Sequence, residues 1–331
     1  MGLADLWFFI WGILWALWLA TDGFDLGAGI LYPFIGRNDN EKAAVIGSIA
    51  PLWDGNEVWL VAAGGATFAA FPAVYAGLFS YMYIPFAILL FSLILRGVAL
   101  EFIYKGEGAL WLKTWGVIFF IGSIFAPFVF GLIFGNVFGG LAFDGTGFSG
   151  SLYSLINPYS VLTGTVTVII CILHAGIWIS MNTSGDLKKR AERTALSAWF
   201  AAFILLLVFI AEAPVFTSLF KNYSANPVLL IIPAIMIACF VCIRIFFSRG
   251  VPGVSFIFSI ATIMLFFIST LTGLYPNLLP SSVDPVASLS IYNSCSGGNT
   301  LVIMTAVAAV LVPVVIASQV FVYRVFRFKG K

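Results

Sequence analysis

Charge is scarce in this sequence. Of 331 residues, 16 are Lys or Arg and 14 are Asp or Glu, 9% in all, whereas 61% are hydrophobic. No soluble core requires so much apolar sequence, so a water-soluble domain is excluded and an integral membrane protein is indicated. Histidine is scarcer still: His174 stands alone, which argues against a haem or metal centre built on this chain. Cysteine supplies no framework either. Cys171, Cys239 and Cys242 lie within apolar runs and Cys295 is isolated in a loop, so no disulfide pattern exists. Cys239 and Cys242 share a helix face at i, i+3, but with no second pair they read as packing residues. A cleaved leader is not expected, because the first apolar run is too long and lacks a basic flank.

What is present is a series of long apolar runs. Crossing a hydrocarbon layer of about 30 Å takes roughly 20 helical residues. Nine runs qualify: 7–35, 54–76, 78–100, 114–138, 158–183, 196–220, 227–248, 252–275 and 299–323. Helices are the expected spans, because no ten-residue alternation of barrel type occurs. The fold class is therefore all-α, a polytopic protein of nine transmembrane helices forming a single membrane domain over 1–331. Comparable counts suggest a four-helix bundle over 7–138, a second over 158–275, and a ninth helix at 299–323. A tight turn near Pro72–Gly77 is expected between the second and third spans.

Nine spans place the termini on opposite sides. Arg37, Lys42, Arg96, Lys105, Lys113, Lys188, Lys189, Arg190, Arg193, Arg244, Arg249, Arg324, Arg327, Lys329 and Lys331 then share one side, and only Lys221 falls on the other. The positive-inside rule sets the N-terminus outside and the C-terminus in the cytoplasm. The basic residues form a membrane-facing collar, so the net charge of +2 implies no nucleic acid partner. Lys188, Lys189, Arg190 and Arg193 read as a basic loop. The outside stretch 139–157 reads as irregular, and the long loop 276–298 as cover for a partner.

The few acids are concentrated. Asp22, Asp25, Asp54 and Glu57 lie inside or at the mouth of apolar segments, where a carboxylate is costly and marks a functional site by default. Asp22 and Asp25 are three apart and share a face of the first span, with Gly23 and Gly27 in GxxxG spacing to admit a neighbouring helix. Asp54 and Glu57 have the spacing of an N-cap and its reciprocal N3 carboxylate. Arg96, near the same interface, either snorkels or pairs with one of these acids. His174 admits three readings: a haem ligand, a proton carrier or a hydrogen-bonded packing residue. Glu212 lies in the sixth apolar run with no role assigned.

The runs Thr21-Asp22-Gly23-Phe24-Asp25-Leu26-Gly27, Gly36-Arg37-Asn38-Asp39, Ser48-Ile49-Ala50-Pro51 and Trp53-Asp54-Gly55-Asn56-Glu57-Val58-Trp59 resemble the signature of subunit II of cytochrome bd quinol oxidases. Gly64-Gly65-Ala66, Phe68–Tyr75, Arg96-Gly97 and His174-Ala175-Gly176 extend the resemblance. Where the common pattern has His before Trp-Asp, this sequence has Leu52, so no proton route runs through that histidine here. The resemblance implies a respiratory membrane complex that oxidises quinol and reduces dioxygen to water, electrogenic but without a pump, in a bacterial or archaeal cytoplasmic membrane. It implies a larger partner, subunit I, holding haem b558, haem b595 and haem d, and admits a small accessory subunit. It implies no cofactor bound by this chain alone and no catalytic centre in it. It places Asp25 and Asp54 on a proton-uptake route, with Asp22, Glu57 and Arg96 joining them on the burial argument. It places Trp59 at an oxygen entrance and Trp53 at the subunit contact. Two other classes are weighed against it. A secondary transporter or proton channel would act alone and set its acids at the midplane. A purely structural assembly subunit would use them as caps and packing glue.

Overall fold

The computed structural model describes residues 2–326. Arg327, Lys329 and Lys331 of the basic side lie outside the described residues. Helices dominate in chain order: α1 Leu3–Ile35, α2 Asp39–Gly47, α3 Trp53–Ala70, α4 Pro72–Tyr81, α5 Tyr83–Phe102, α6 Ala109–Gly139, α7 Pro158–Asn182, α8 Gly185–Phe216, α9 Phe220–Ala225, α10 Ile231–Ser248, α11 Pro252–Leu274, α12 Ile291–Ser294 and α13 Gly298–Val325. Among the described residues eight helices are long and apolar enough to span, and nine if the bent α3–α4 pair counts as one.

The second and third spans depart from expectation. α3 stops at Ala70, and α4 leaves it at a bend of 118°. The connection to α5 is thus a ten-residue helix rather than a tight turn. Pro72 causes the break. It has no N–H for the helix before it, and it drives Phe71 out of the helical region to φ −134°, ψ 66°. Hydropathy runs unbroken through this corner and does not register it.

The basic stretch after the fifth span also differs. Lys188, Lys189, Arg190 and Arg193 lie in the first turns of α8, which begins at Gly185 with φ +63°. Leu187, Ala191, Ala195, Ala198 and Ala202 are buried along this helix, a 3.6-residue rhythm that carries it out of the apolar run. Arg190 joins α8 to the rest of the basic end: its Nε donates to Ile35 O at 2.8 Å and its guanidinium pairs with Glu41 at 2.6 Å.

α1 is the axis of the molecule and packs against α3, α6, α7 and α11. Its small residues make this possible. A Cβ on Gly27 would stand 2.0 Å from Cys171 O, so the α1 and α7 backbones touch there. At the opposite end, short hairpins pair Phe143–Asp144 with Gly147–Phe148 and Asn277–Leu279 with Leu289–Ser290. The long loop folds over this chain's own helix ends: Ser296 N donates to Ala70 O at 2.8 Å and its hydroxyl to Ala69 O at 2.6 Å. That satisfies carbonyls which α3 leaves open at its abrupt end.

Candidate functional site

Asp22 and Asp25 are both fully buried on α1. Arg96, from α5, is equally buried and does not snorkel. Its Nη1 donates to Asp22 Oδ1 at 2.8 Å and its Nη2 to Glu57 Oε1 at 2.5 Å. One guanidinium therefore ties α1, α3 and α5 together near the basic end. Its approach depends on Gly122 of α6, where a Cβ would lie 2.6 Å from Ser92 O and 2.9 Å from Arg96 N. The other oxygen of Asp22 accepts from Trp18 Nε1 at 3.1 Å.

Asp25 is held differently. Its Oδ2 accepts from Asn56 Nδ2 at 2.7 Å, while its Oδ1 is buried without a hydrogen-bond partner. The carboxyls of Asp22 and Asp25 are near enough to hydrogen-bond once a proton is placed between them. Asn56 Oδ1 in turn accepts from the Tyr323 hydroxyl at 2.9 Å. A continuous polar chain thus runs Glu57–Arg96–Asp22–Asp25–Asn56–Tyr323, from α3 through the core to α13. Carboxyl groups in such a chain can take up and release protons, whereas the guanidinium stays charged and organises them.

The capping reading of Asp54 and Glu57 is corrected. Leu52 occupies the N-cap position of α3 and makes no side-chain cap, so Asp54 lies inside the first turn. Glu57 is turned to Arg96, and its side chain is 25% exposed. Asp54 is exposed on the outer face of α3 and is not brought into the chain. That face continues through Val58, Val61 and Phe68, all exposed. Trp53 is half-buried, with Arg96 5.9 Å from its ring centre.

Trp59 is buried, and its Nε1 donates to Gln319 Oε1 at 2.8 Å. Its ring lines two cavities, one between α1, α3 and α13 and one beside the C-terminal half of α13. His174 is fully buried beside this region. Nε2 faces Ala20 O at 3.1 Å, Nδ1 faces Ser259 Oγ at 2.7 Å, and the ring stacks on Phe256. Both nitrogens are engaged in hydrogen bonds, as in a packing residue. Glu212 is half-buried on α8.

Asn56, Tyr323, Trp18 and Gln319 were not singled out by sequence reasoning. Asn56 carried a usable signal, as an amide between two acids, Asp54 and Glu57, at a helix start. Tyr323 carried none, lying about 300 residues from the acids it serves.

The sequence matches the cytochrome bd terminal oxidase subunit II family over residues 3–326. It is 35% identical over 327 residues to the cytochrome bd ubiquinol oxidase subunit 2 of Bacillus subtilis (strain 168), covering 98% of this chain and 96% of that one. It is 33% identical over 350 residues to the cytochrome bd-I ubiquinol oxidase subunit 2 of Escherichia coli (strain K12), covering 96% and 92%. In fold it is similar to a chain of the bd oxidase from Geobacillus thermodenitrificans, with a TM-score of 0.78, 18% identity and full coverage of both chains.

Proposed function

Since the chain belongs to the cytochrome bd terminal oxidase subunit II family, we propose that its buried acids feed protons to dioxygen reduction in its partner. The protein is a subunit of a cytochrome bd-type quinol oxidase, a quinol:oxygen oxidoreductase of the membrane. The stand-alone transporter or channel is not supported. The assignment brings with it a subunit I and haems in that partner. Each dioxygen reduced to two waters consumes four electrons and four protons, and the oxidation of two quinols to quinones supplies the electrons.

The finer reading is as follows. Haem b558, haem b595 and haem d reside in subunit I. The N-terminus lies outside and the basic end faces the cytoplasm, where protons enter. Asp22 and Asp25 hold the proton in the core, kept in place by Arg96 and Asn56. Glu57, at the rim, and Asp54, on the open face of α3, pass it across to the partner. That face supports the reading: an exposed carboxylate among apolar residues of a spanning helix is unfavourable against lipid and requires a polar cover. Trp53 lies at the edge of the contact. Trp59, with its nitrogen satisfied and its ring between two apolar cavities, suits the wall of an oxygen passage.

The observation that carries the proposal is the orphan Oδ1 of Asp25 beside Asp22, in a site that one arginine holds together. The test is Asp25→Asn and Asp54→Asn in the two-subunit complex in liposomes, with oxygen consumption, proton uptake and haem content measured. Normal haem with slowed oxygen consumption and proton uptake is expected. Full activity in both variants refutes the route, and loss of haem in both leaves an assembly role instead.

A further inference from the structure

We propose that the groove beside the C-terminal half of α13 is a binding site for an anionic phospholipid, whose phosphate lies between Lys188 and Arg324. The groove encloses about 980 Å³ between α13 and a wall formed by α1, α7 and α11. Trp59, Trp178 and Phe256 form its floor, and Tyr323, Lys188 and Arg324 stand at its rim.

Three observations converge on this occupant. The first is charge. Two cations line the groove and no Asp or Glu does. Arg324 makes no ion pair with a described residue, and Lys188 reaches only Glu192, at 4.0 Å, with both side chains well exposed. Basic pockets between spanning helices are where anionic headgroups are held. The second is the floor. The indole nitrogens of Trp59 and Trp178 are already committed, to Gln319 and to Ser48 O, so the groove meets its occupant with apolar rings. Thr21, Ser180, Asn182 and Gln319 also line the groove, so acyl chains lie against the rings while a headgroup meets the polar groups. The third is the slender attachment of α13 to the rest of this chain. Leu301 is its one buried residue among those described. Polar contacts pin the helix at two levels, Trp7 to Thr305 near one end and Trp59 to Gln319 with Tyr323 to Asn56 near the other. Between helix and bundle there remains a crevice whose inner wall carries apolar rings.

A free phosphate satisfies the rim and leaves the apolar volume empty. A neutral quinone fills the volume and leaves two cations without counter-charge. A phospholipid of net negative charge meets both demands. Bound there, it presses on Tyr323 and steadies the hydroxyl that reaches Asn56, a consequence that rests on the proton route above, whereas the binding itself does not.

The test uses the purified two-subunit complex. Lipids extracted from the wild type and from a Lys188→Gln/Arg324→Gln variant are counted by mass spectrometry. One phosphatidylglycerol per complex is expected to disappear in the variant, with phosphatidylethanolamine unchanged. A Lys189→Gln/Arg193→Gln variant removes the same amount of charge from α8 outside the groove and retains the lipid. An unchanged phosphatidylglycerol count in the first variant overturns the proposal, as does loss of a quinone instead. Should that variant not assemble, delipidated wild type is offered phosphatidylglycerol or phosphatidylcholine vesicles. A preference of about thirtyfold for the anionic lipid is expected from two basic residues, and equal uptake overturns the assignment.

Discussion

Replacing Arg96 with Leu removes the cation that faces both Asp22 and Glu57 and strands two carboxyls in an apolar bundle. The two are not stranded equally. Glu57 has 25% of its side chain exposed and can turn to the rim. Asp22 has no exposure, loses its 2.8 Å bond to Nη1, and retains Trp18 at 3.1 Å and the neighbouring Asp25 carboxyl, neither of which carries a positive charge. Removing one partner of a buried ion pair costs about 3–5 kcal/mol, because the remaining charge has no compensation. Most of that cost should sit on Asp22. Arg96→Leu is therefore expected to lose about 3–5 kcal/mol, and Arg96→Leu/Asp22→Leu to recover most of it, since apolar groups replace a buried pair at little net cost. Unfolding of the complex by SDS in mixed micelles, followed by near-UV circular dichroism, measures both. If the single variant lies within about 1 kcal/mol of wild type, or the double variant is no more stable than the single, the ion pair does not hold these helices as argued.

Gly27→Ala sets a methyl against Cys171 O and should force α1 off α7, costing 1–3 kcal/mol or more. Gly64→Ala, with open space around it, should be silent, and native gels of the complex distinguish the two. Tyr323→Phe removes one donor from Asn56 and should cost about 1 kcal/mol, whereas Asn56→Leu also strands Asp25 Oδ2 and should cost more. Outside the spans, the pairing with Arg190 and the Arg37 backbone N–H hold the Glu41 carboxyl below its ordinary value of 4.5. A depressed carboxyl stabilises the fold above its unfolded pKa, and the contribution is lost as pH falls through the folded value. Thermal unfolding of wild type should thus weaken below pH 4.5, and Glu41→Gln should remove that part of the acid response.

Most of the architecture was legible because burying apolar helices in lipid leaves its record in composition. The spans over α6, α7 and α11 match their apolar runs within a few residues. The corner at Phe71-Pro72 was not legible, since hydropathy is blind to direction and both arms are equally apolar. The start of α8 was missed because charge masked a helical rhythm carried by Leu187, Ala191 and Ala195. In the site, the burial of Asp22 and Asp25 followed from their GxxxG neighbours, and the choice of Arg96 between pairing and snorkelling needed three dimensions. Asp54 and Glu57 show how local spacing misleads. The same i, i+3 pattern serves a cap or sets two acids on one side of a helix, and the ion pair with Arg96 outweighs a cap worth about 1 kcal/mol.

The sharp corner after Ala70 makes α3 short. Eighteen residues span about 27 Å, against a hydrocarbon layer of about 30 Å. Lipid in contact with α3 must thin to match it, and such mismatch costs a fraction of a kcal/mol per ångström. A second protein laid along α3 takes the place of that strained annulus. Bilayer elasticity therefore favours a protein surface over lipid along α3, whatever specific contacts that surface then makes.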